Sequence, residues 1–188
     1  SLLQRLMSCE PKSNAEELSR LPLKSRSDLR SKSYERWEGC HMLTEQQQAF
    51  LKVLDLVEEA GCMDHVVLIG SWAEFAYREA EVLPGFCPNI KTMDVDFLVR
   101  NLRRPSPAAR LTVLAKERGF FVESDRMNGT TKLLDITGLE VEFLIGKMGA
   151  GREPALKTNI GVTAQALWHM DVILKNTIEV RCFNHIVT

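Results

Sequence analysis

The chain contains no two cysteines spaced as CxxC. Its five cysteines, Cys9, Cys40, Cys62, Cys87 and Cys182, are odd in number and scattered. That argues against a disulfide framework and against a structural zinc site, and leaves reduced thiols in a cytoplasmic protein as the expectation. No apolar run approaches the roughly 20 residues that cross a bilayer; the longest, such as 66–69 and 143–145, are strand-sized. A signal-peptide apolar region is absent from the N-terminus as given, so no membrane partner is expected. Charge of one sign is not in excess either: 24 Lys and Arg face 25 Asp and Glu, a formal net charge of -1. Nothing global marks a nucleic-acid or membrane-surface binder. His41, His65, His169 and His185 lack ligand spacing to one another or to cysteine, so ordinary structural roles are expected for them. Cys62 and Cys87 have no base beside them in sequence, and no nucleophilic cysteine is proposed.

What is present is an ordinary globular composition, 45% apolar and 26% charged over 188 residues. This is enough for one domain with a real core and an appendage. Residues 1–42 differ in texture, with Ser-, Arg- and Lys-rich stretches, and read as an N-terminal extension. A helix is plausible there over 14–21, and basic and acidic residues nearly balance. Regular patterning begins at residue 43. Thr44, Glu45 and Gln47 form a capping-box signature ahead of an apolar stripe, Phe50, Leu51, Val53, Leu54 and Val57, which Gly61 ends. The run 66–69 suits a buried strand, 72–79 a helix, 84–88 a loop, 95–99 a strand and 105–118 a helix. Strands follow over 120–123, 132–136 and 139–145, with turns at Asn128-Gly129 and Thr137-Gly138. A glycine-containing loop over 146–154 precedes a short helix over 163–168. A last hairpin would pair 172–174 with 177–182, turning at Lys175-Asn176. The order of elements over 43–188 indicates an α/β (α+β) domain with a mixed β-sheet flanked by helices.

Three segments carry chemistry. Gly70-Ser71 follows a strand and opens a helix, where glycine permits close approach and first-turn N–H groups attract anions. In Thr92-Met93-Asp94-Val95-Asp96-Phe97-Leu98-Val99, strand alternation puts Asp94 and Asp96 on one face. Two like charges side by side repel, and a divalent cation removes the conflict, since Mg²⁺ is commonly held by one or two carboxylates plus substrate phosphates. In Leu139-Glu140-Val141-Glu142-Phe143-Leu144-Ile145, Glu140 and Glu142 likewise share a face. Either would complete a three-carboxylate site if this strand lay beside the Asp94 strand; a plain solvent-facing edge strand is the other reading.

Together, Gly70-Ser71, the pair Asp94 and Asp96, and the later acid Glu142 resemble the DNA polymerase β-like nucleotidyltransferase superfamily. Leu68-Ile69-Gly70-Ser71-Trp72-Ala73 followed by the Thr-x-Asp-x-Asp stretch looks closest to the abortive-infection type toxin nucleotidyltransferase branch. The resemblance covers about 66–145. It implies transfer of a nucleoside monophosphate from a nucleoside triphosphate such as ATP to an acceptor, which the sequence leaves open among RNA, protein and small molecule. It implies that Asp94, Asp96 and Glu142 are catalytic and bind Mg²⁺ or Mn²⁺, and that Gly70 and Ser71 bind the nucleotide's phosphates. Glu142 would be a metal ligand on the acceptor side or a general base. Lys91, Lys132, Lys147 and Arg152 are candidates to offset phosphate charge. Trp72 and Trp168 are expected in the core rather than stacked on a base. The third acid is Glu where the superfamily usually has Asp. The alternative is therefore a degenerate domain of the same fold that binds nucleotide or a protein partner without turnover.

Overall fold

A computed structural model describes residues 43–82, 85, 92–100, 109–147 and 152–188. The extension over 1–42, its suggested helix, most of the 84–88 loop, Lys91 and the expected helix start at 105 lie outside those residues.

Helix α1, Glu45–Glu59, begins as its sequence requires. The Thr44 hydroxyl accepts from the Gln47 N–H and the Gln47 side chain accepts from the Thr44 N–H, a closed capping box. At its far end Gly61, at φ +67°, directs its N–H to the Glu58 carbonyl, and the Cys62 N–H reaches the Val57 carbonyl. This αL closure satisfies carbonyls the helix leaves open. The stripe Phe50, Val53, Leu54 and Val57 is fully buried. After a single 3₁₀ turn come β1 (Val66–Ile69), α2 (Ser71–Glu79), β2 (Asp94–Val99) and α3 (Leu111–Glu117). Strands β3 (Phe121–Ser124), β4 (Thr131–Leu134), β5 (Glu140–Gly146), β6 (Ala155–Lys157) and β7 (Thr163–Leu167) follow, then α4 (Met170–Lys175), β8 (Val180–Cys182) and β9 (His185–Val187).

Seven strands form one mixed sheet, five of them in the order β1-β2-β5-β4-β3. β1 runs antiparallel to β2, β2 parallel to β5, and β4 antiparallel to both β5 and β3. β7 pairs in parallel with the end of β5, at Leu144 to Gly146, beyond the stretch that β4 covers, and β6 flanks β7. The Thr163 N–H donates to the Thr131 hydroxyl where β7 meets β4. The domain is thus the mixed α/β sheet with flanking helices that the order of elements implies, and the strands over 66–69, 95–99 and 141–145 are direct neighbours.

Three short segments depart from the sequence reading, the first being residues 109–110, which lie outside α3: Arg110, at φ -125° and ψ 58°, caps a helix that starts only at Leu111. Residues 163–167 form β7 rather than a helix, because Ala164 and Ala166 alternate inward against β5 and the period is two. The segment at 172–174 lies in α4, and the last hairpin is β8–β9, turning at Phe183-Asn184 rather than at Lys175-Asn176. Apolar residues over three or four positions fit either period, and only a partner strand decides. The Thr188 carbonyl accepts from the Leu68 N–H, tying this hairpin to β1.

One core unites the sheet with the helices. Val95, Phe97, Val99, Val141, Phe143 and Ile145 fill one face of β2 and β5. Phe50 stacks on Trp72 with ring centroids 4.3 Å apart, and Phe75 and Phe183 close the aromatic group. Trp72 is therefore a core residue. Trp168 is not: it is 52% exposed at the end of β7, with the Lys147 ammonium 5.1 Å from its ring centroid. Among the described residues no helix is long and apolar enough to cross a membrane.

Candidate functional site

The acids of β2 and β5 face away from the Phe97–Phe143 core. Alternation alone puts Asp94 and Asp96 on that side, and Glu140 and Glu142 likewise. The parallel register then aligns them: Asp94 lies opposite Glu140, and Asp96 opposite Glu142. On the far side of β5, Lys132 of β4 is in register with Glu142. One row across three strands therefore reads Asp96, Glu142, Lys132, with neighbouring strands about 4.8 Å apart. Leu98 and Leu144 continue the same face as apolar residues, so the charges are confined to the start of β2 and β5.

On the other side of β2, Ile69 is the partner of Asp96, and Gly70 follows immediately. Gly70 has φ +72° and ψ -156°, a conformation open in practice only to glycine. The space is also closed to a side chain, since a Cβ there would lie 3.1 Å from Oδ2 of Asp96. What comes close to this glycine is thus the Asp96 carboxylate. Gly70 caps α2 without a side-chain hydrogen bond, and the helix then starts at Ser71. Its first amides have no partner within the helix and carry the positive end of the dipole. The Ser71 hydroxyl shares a hydrogen bond with the Thr92 hydroxyl. Thr92 stands two residues before Asp94; its link to Ser71 is a contact that sequence reasoning did not assign, although the Thr-x-Asp-x-Asp pattern contains it.

The electrostatics of Asp96 reflect this crowding. Partial burial pushes its carboxyl above the ordinary aspartate range, and the charges of Glu142 and then Asp94 push it further. Asp94 is exposed. Lys132 meets the acids from β4, with Nζ 2.5 Å from Glu142 Oε1 and 3.1 Å from Glu140 Oε2. These two bonds, Glu142's first, hold the ammonium above the ordinary lysine range. Lys132, expected as a counter-charge to phosphate, thus finds its partners in the acids. Lys147 sits past the end of β5 against Trp168, and Arg152 is exposed.

Asp94 and Asp96 have the chemistry of a hard-cation site: carboxylate oxygens only, adjacent on one strand, one of them partly desolvated and under like-charge stress. Glu142 aligns with them but is bound to Lys132. Among the described residues, no three His, Cys, Asp or Glu side chains are grouped so as to hold a metal ion. The structure therefore brings together Gly70, Ser71, Asp94, Asp96 and Glu142 along one sheet margin, and adds Thr92 and Lys132. Cys62 is buried with its thiol pushed up to about 12, the opposite of an activated nucleophile. His185 is structural: it is buried, with Nε2 3.0 Å from Asp55 and Nδ1 2.7 Å from Glu58.

Residues 48–185 match a family model described as nucleotidyltransferase. No curated protein and no solved structure matches the chain.

Proposed function

Since the chain belongs to this nucleotidyltransferase family, we propose that it transfers a nucleoside monophosphate from a nucleoside triphosphate to the oxygen of an acceptor. The observation that carries this reading is the register row in which Asp96 lies between the Ile69–Gly70 turn on one side and Glu142 on the other. A triphosphate laid along the start of α2 would meet the Ser71 and Trp72 amides and the Ser71 hydroxyl, with its α-phosphate toward Asp94 and Asp96. Asp94 and Asp96 are the residues that would hold Mg²⁺ or Mn²⁺, which when bound supplies charge compensation for the phosphates and the departing pyrophosphate. Thr92 positions the Ser71 hydroxyl. In the transfer, the acceptor O–H bond breaks, an O–P bond forms at the α-phosphorus, and the bond from that phosphorus to the bridging oxygen of pyrophosphate breaks. Glu142 stands on the acceptor side and takes the proton. Within the superfamily, the Gly70-Ser71 and Thr92-to-Asp96 pattern favours the abortive-infection type branch. A reducing, cytoplasmic setting suits the buried free thiols of Cys62 and Cys182.

The test uses nucleoside triphosphates labelled at the α- or the γ-phosphate, with Mg²⁺ and with RNA, protein and small-molecule fractions as acceptors. Label should move to an acceptor from the α-position and never from the γ-position. The Asp94→Asn, Asp96→Asn double variant should lose both transfer and Mg²⁺-dependent nucleotide binding; unchanged binding in that variant would sink the reading. The hold of Lys132 on Glu142 favours one alternative, a domain that binds nucleotide without turnover. Binding by the parent with no α-label transfer to any fraction selects it.

A further inference from the structure

The third acid of this site is already paired by the protein. Glu142 is the residue on which a second, acceptor-side metal would have to rest. Its carboxylate is engaged at 2.5 Å by the Lys132 ammonium, which also reaches Glu140 at 3.1 Å. Lys132 does not arrive there by a long flexible excursion. It is Glu142's register partner on β4 and projects from the same face of the sheet. Its backbone is set by ladders on both sides, to β5 and to β3. The side chains of Lys132 and of both acids are each about one-third exposed. A divalent ion at Glu142 would face a fixed positive charge within hydrogen-bonding distance of its own ligand. By contrast, among the described residues no cation pairs with Asp94 or Asp96, and Asp96 is crowded by like charge.

We propose that Lys132 occupies the role of the acceptor-side metal, so that this site takes a single divalent ion, at Asp94 and Asp96, and Glu142 works beside a built-in ammonium. This rests on the nucleotidyl-transfer reading above. Lys132 is on this account a positioning residue: it fixes the Glu142 carboxylate and excludes a second ion, and it does not touch the nucleotide. The charge it supplies is independent of metal concentration, while the nucleotide-side ion remains exchangeable.

The experiment counts bound Mn²⁺ by electron paramagnetic resonance, on the full chain saturated with each of the four α,β-methylene ribonucleoside triphosphates in turn. The parent should bind one Mn²⁺ per chain. Lys132→Met should bind two, because the carboxylates of Glu140 and Glu142 are released to a metal. Lys132→Gln, which keeps a polar side chain, one atom shorter, while removing its charge, should also bind two and covers the case in which the methionine variant does not fold. The Asp94→Asn, Asp96→Asn variant should bind none. Two ions on the parent, or one ion on parent and folded Lys132 variants alike, overturns the proposal while leaving the nucleotidyl-transfer reading intact. No Mn²⁺-dependent nucleotide binding by the parent overturns both.

Discussion

Gly70 and Asp96 approach so closely that a single added methyl group at the glycine would meet the carboxylate oxygen at 3.1 Å. Gly70 also holds φ +72°, which an L side chain rarely adopts. Gly70→Ala is therefore expected to cost about 1–3 kcal/mol of stability through backbone strain. It should also displace Asp96 and weaken metal-dependent nucleotide binding. Urea unfolding and nucleotide titration of the same preparation check both effects. Parental values in both measurements would show that the turn adapts and that the approach is not required.

Asp96 provides a pH prediction. Its folded-state carboxyl lies above the ordinary value of 3.8, through partial burial first and then Glu142 and Asp94. A raised acid folds more readily protonated, so its ionisation in the metal-free protein destabilises. The penalty is absent below the unfolded value and develops as pH rises through the window from that value to the folded one. Asp96→Asn should accordingly raise the melting temperature of the metal-free protein at pH 7. The gain should shrink as pH is lowered toward 3.8, the ordinary value. Melting curves across pH with chelator present measure this. A variant less stable than the parent at pH 7 would contradict the assignment.

Glu142 and Glu140 share Lys132 but not the same neighbours across β2, since Glu142 pairs with Asp96 and Glu140 with Asp94 at the exposed end. Glu142→Gln should leave triphosphate affinity within a few-fold of the parent and lower single-turnover transfer by about 10²–10⁴, the usual contribution of a positioned general base. Glu140→Gln should lower it far less. Equal losses in the two variants would remove Glu142's special role; a larger loss for Glu140 would reassign the third acid.

His185 makes a prediction about the fold alone. It is buried on β9 with Asp55 and Glu58 of α1 at its two ring nitrogens. This fastens the terminal hairpin to α1. Asp55 and Glu58 are 62% and 50% exposed, so water replaces the ring at both; His185→Ala should cost about 0.5–3 kcal/mol through the packing lost at a buried position, with nucleotide affinity unchanged in the folded fraction. Chemical denaturation gives the first quantity and calorimetry at low temperature the second. Loss of affinity in a fully folded variant would mean that the hairpin reaches the site.

Local chemistry in the sequence was enough to set α1, with its capping box at Thr44 and its glycine close at Gly61. It also set the facing of the acids, because a strand's period of two leaves no choice once Val95, Phe97, Val141 and Phe143 must be buried. The family pattern in Gly70-Ser71 and in the Asp94 stretch was visible for the same reason: its residues are near neighbours in the chain. Residues 163–167 and 172–174 were misread because a few alternating or clustered apolar residues fit both periods until β5 offers, or does not offer, an edge to pair with. Tertiary structure alone decided the register. Whether Asp96 stands beside Glu142 or one residue away depends on how β2 and β5 align, and no local rule governs a parallel pair separated by 40 residues of chain. The same holds for Lys132, which the sequence offered as one of four cations for phosphate. Its distance to a carboxylate is set by the β4–β5 ladder, and ion pairing falls off within a few ångströms. Side-chain facing follows from the backbone of one strand; which charges meet follows from three strands coming into line.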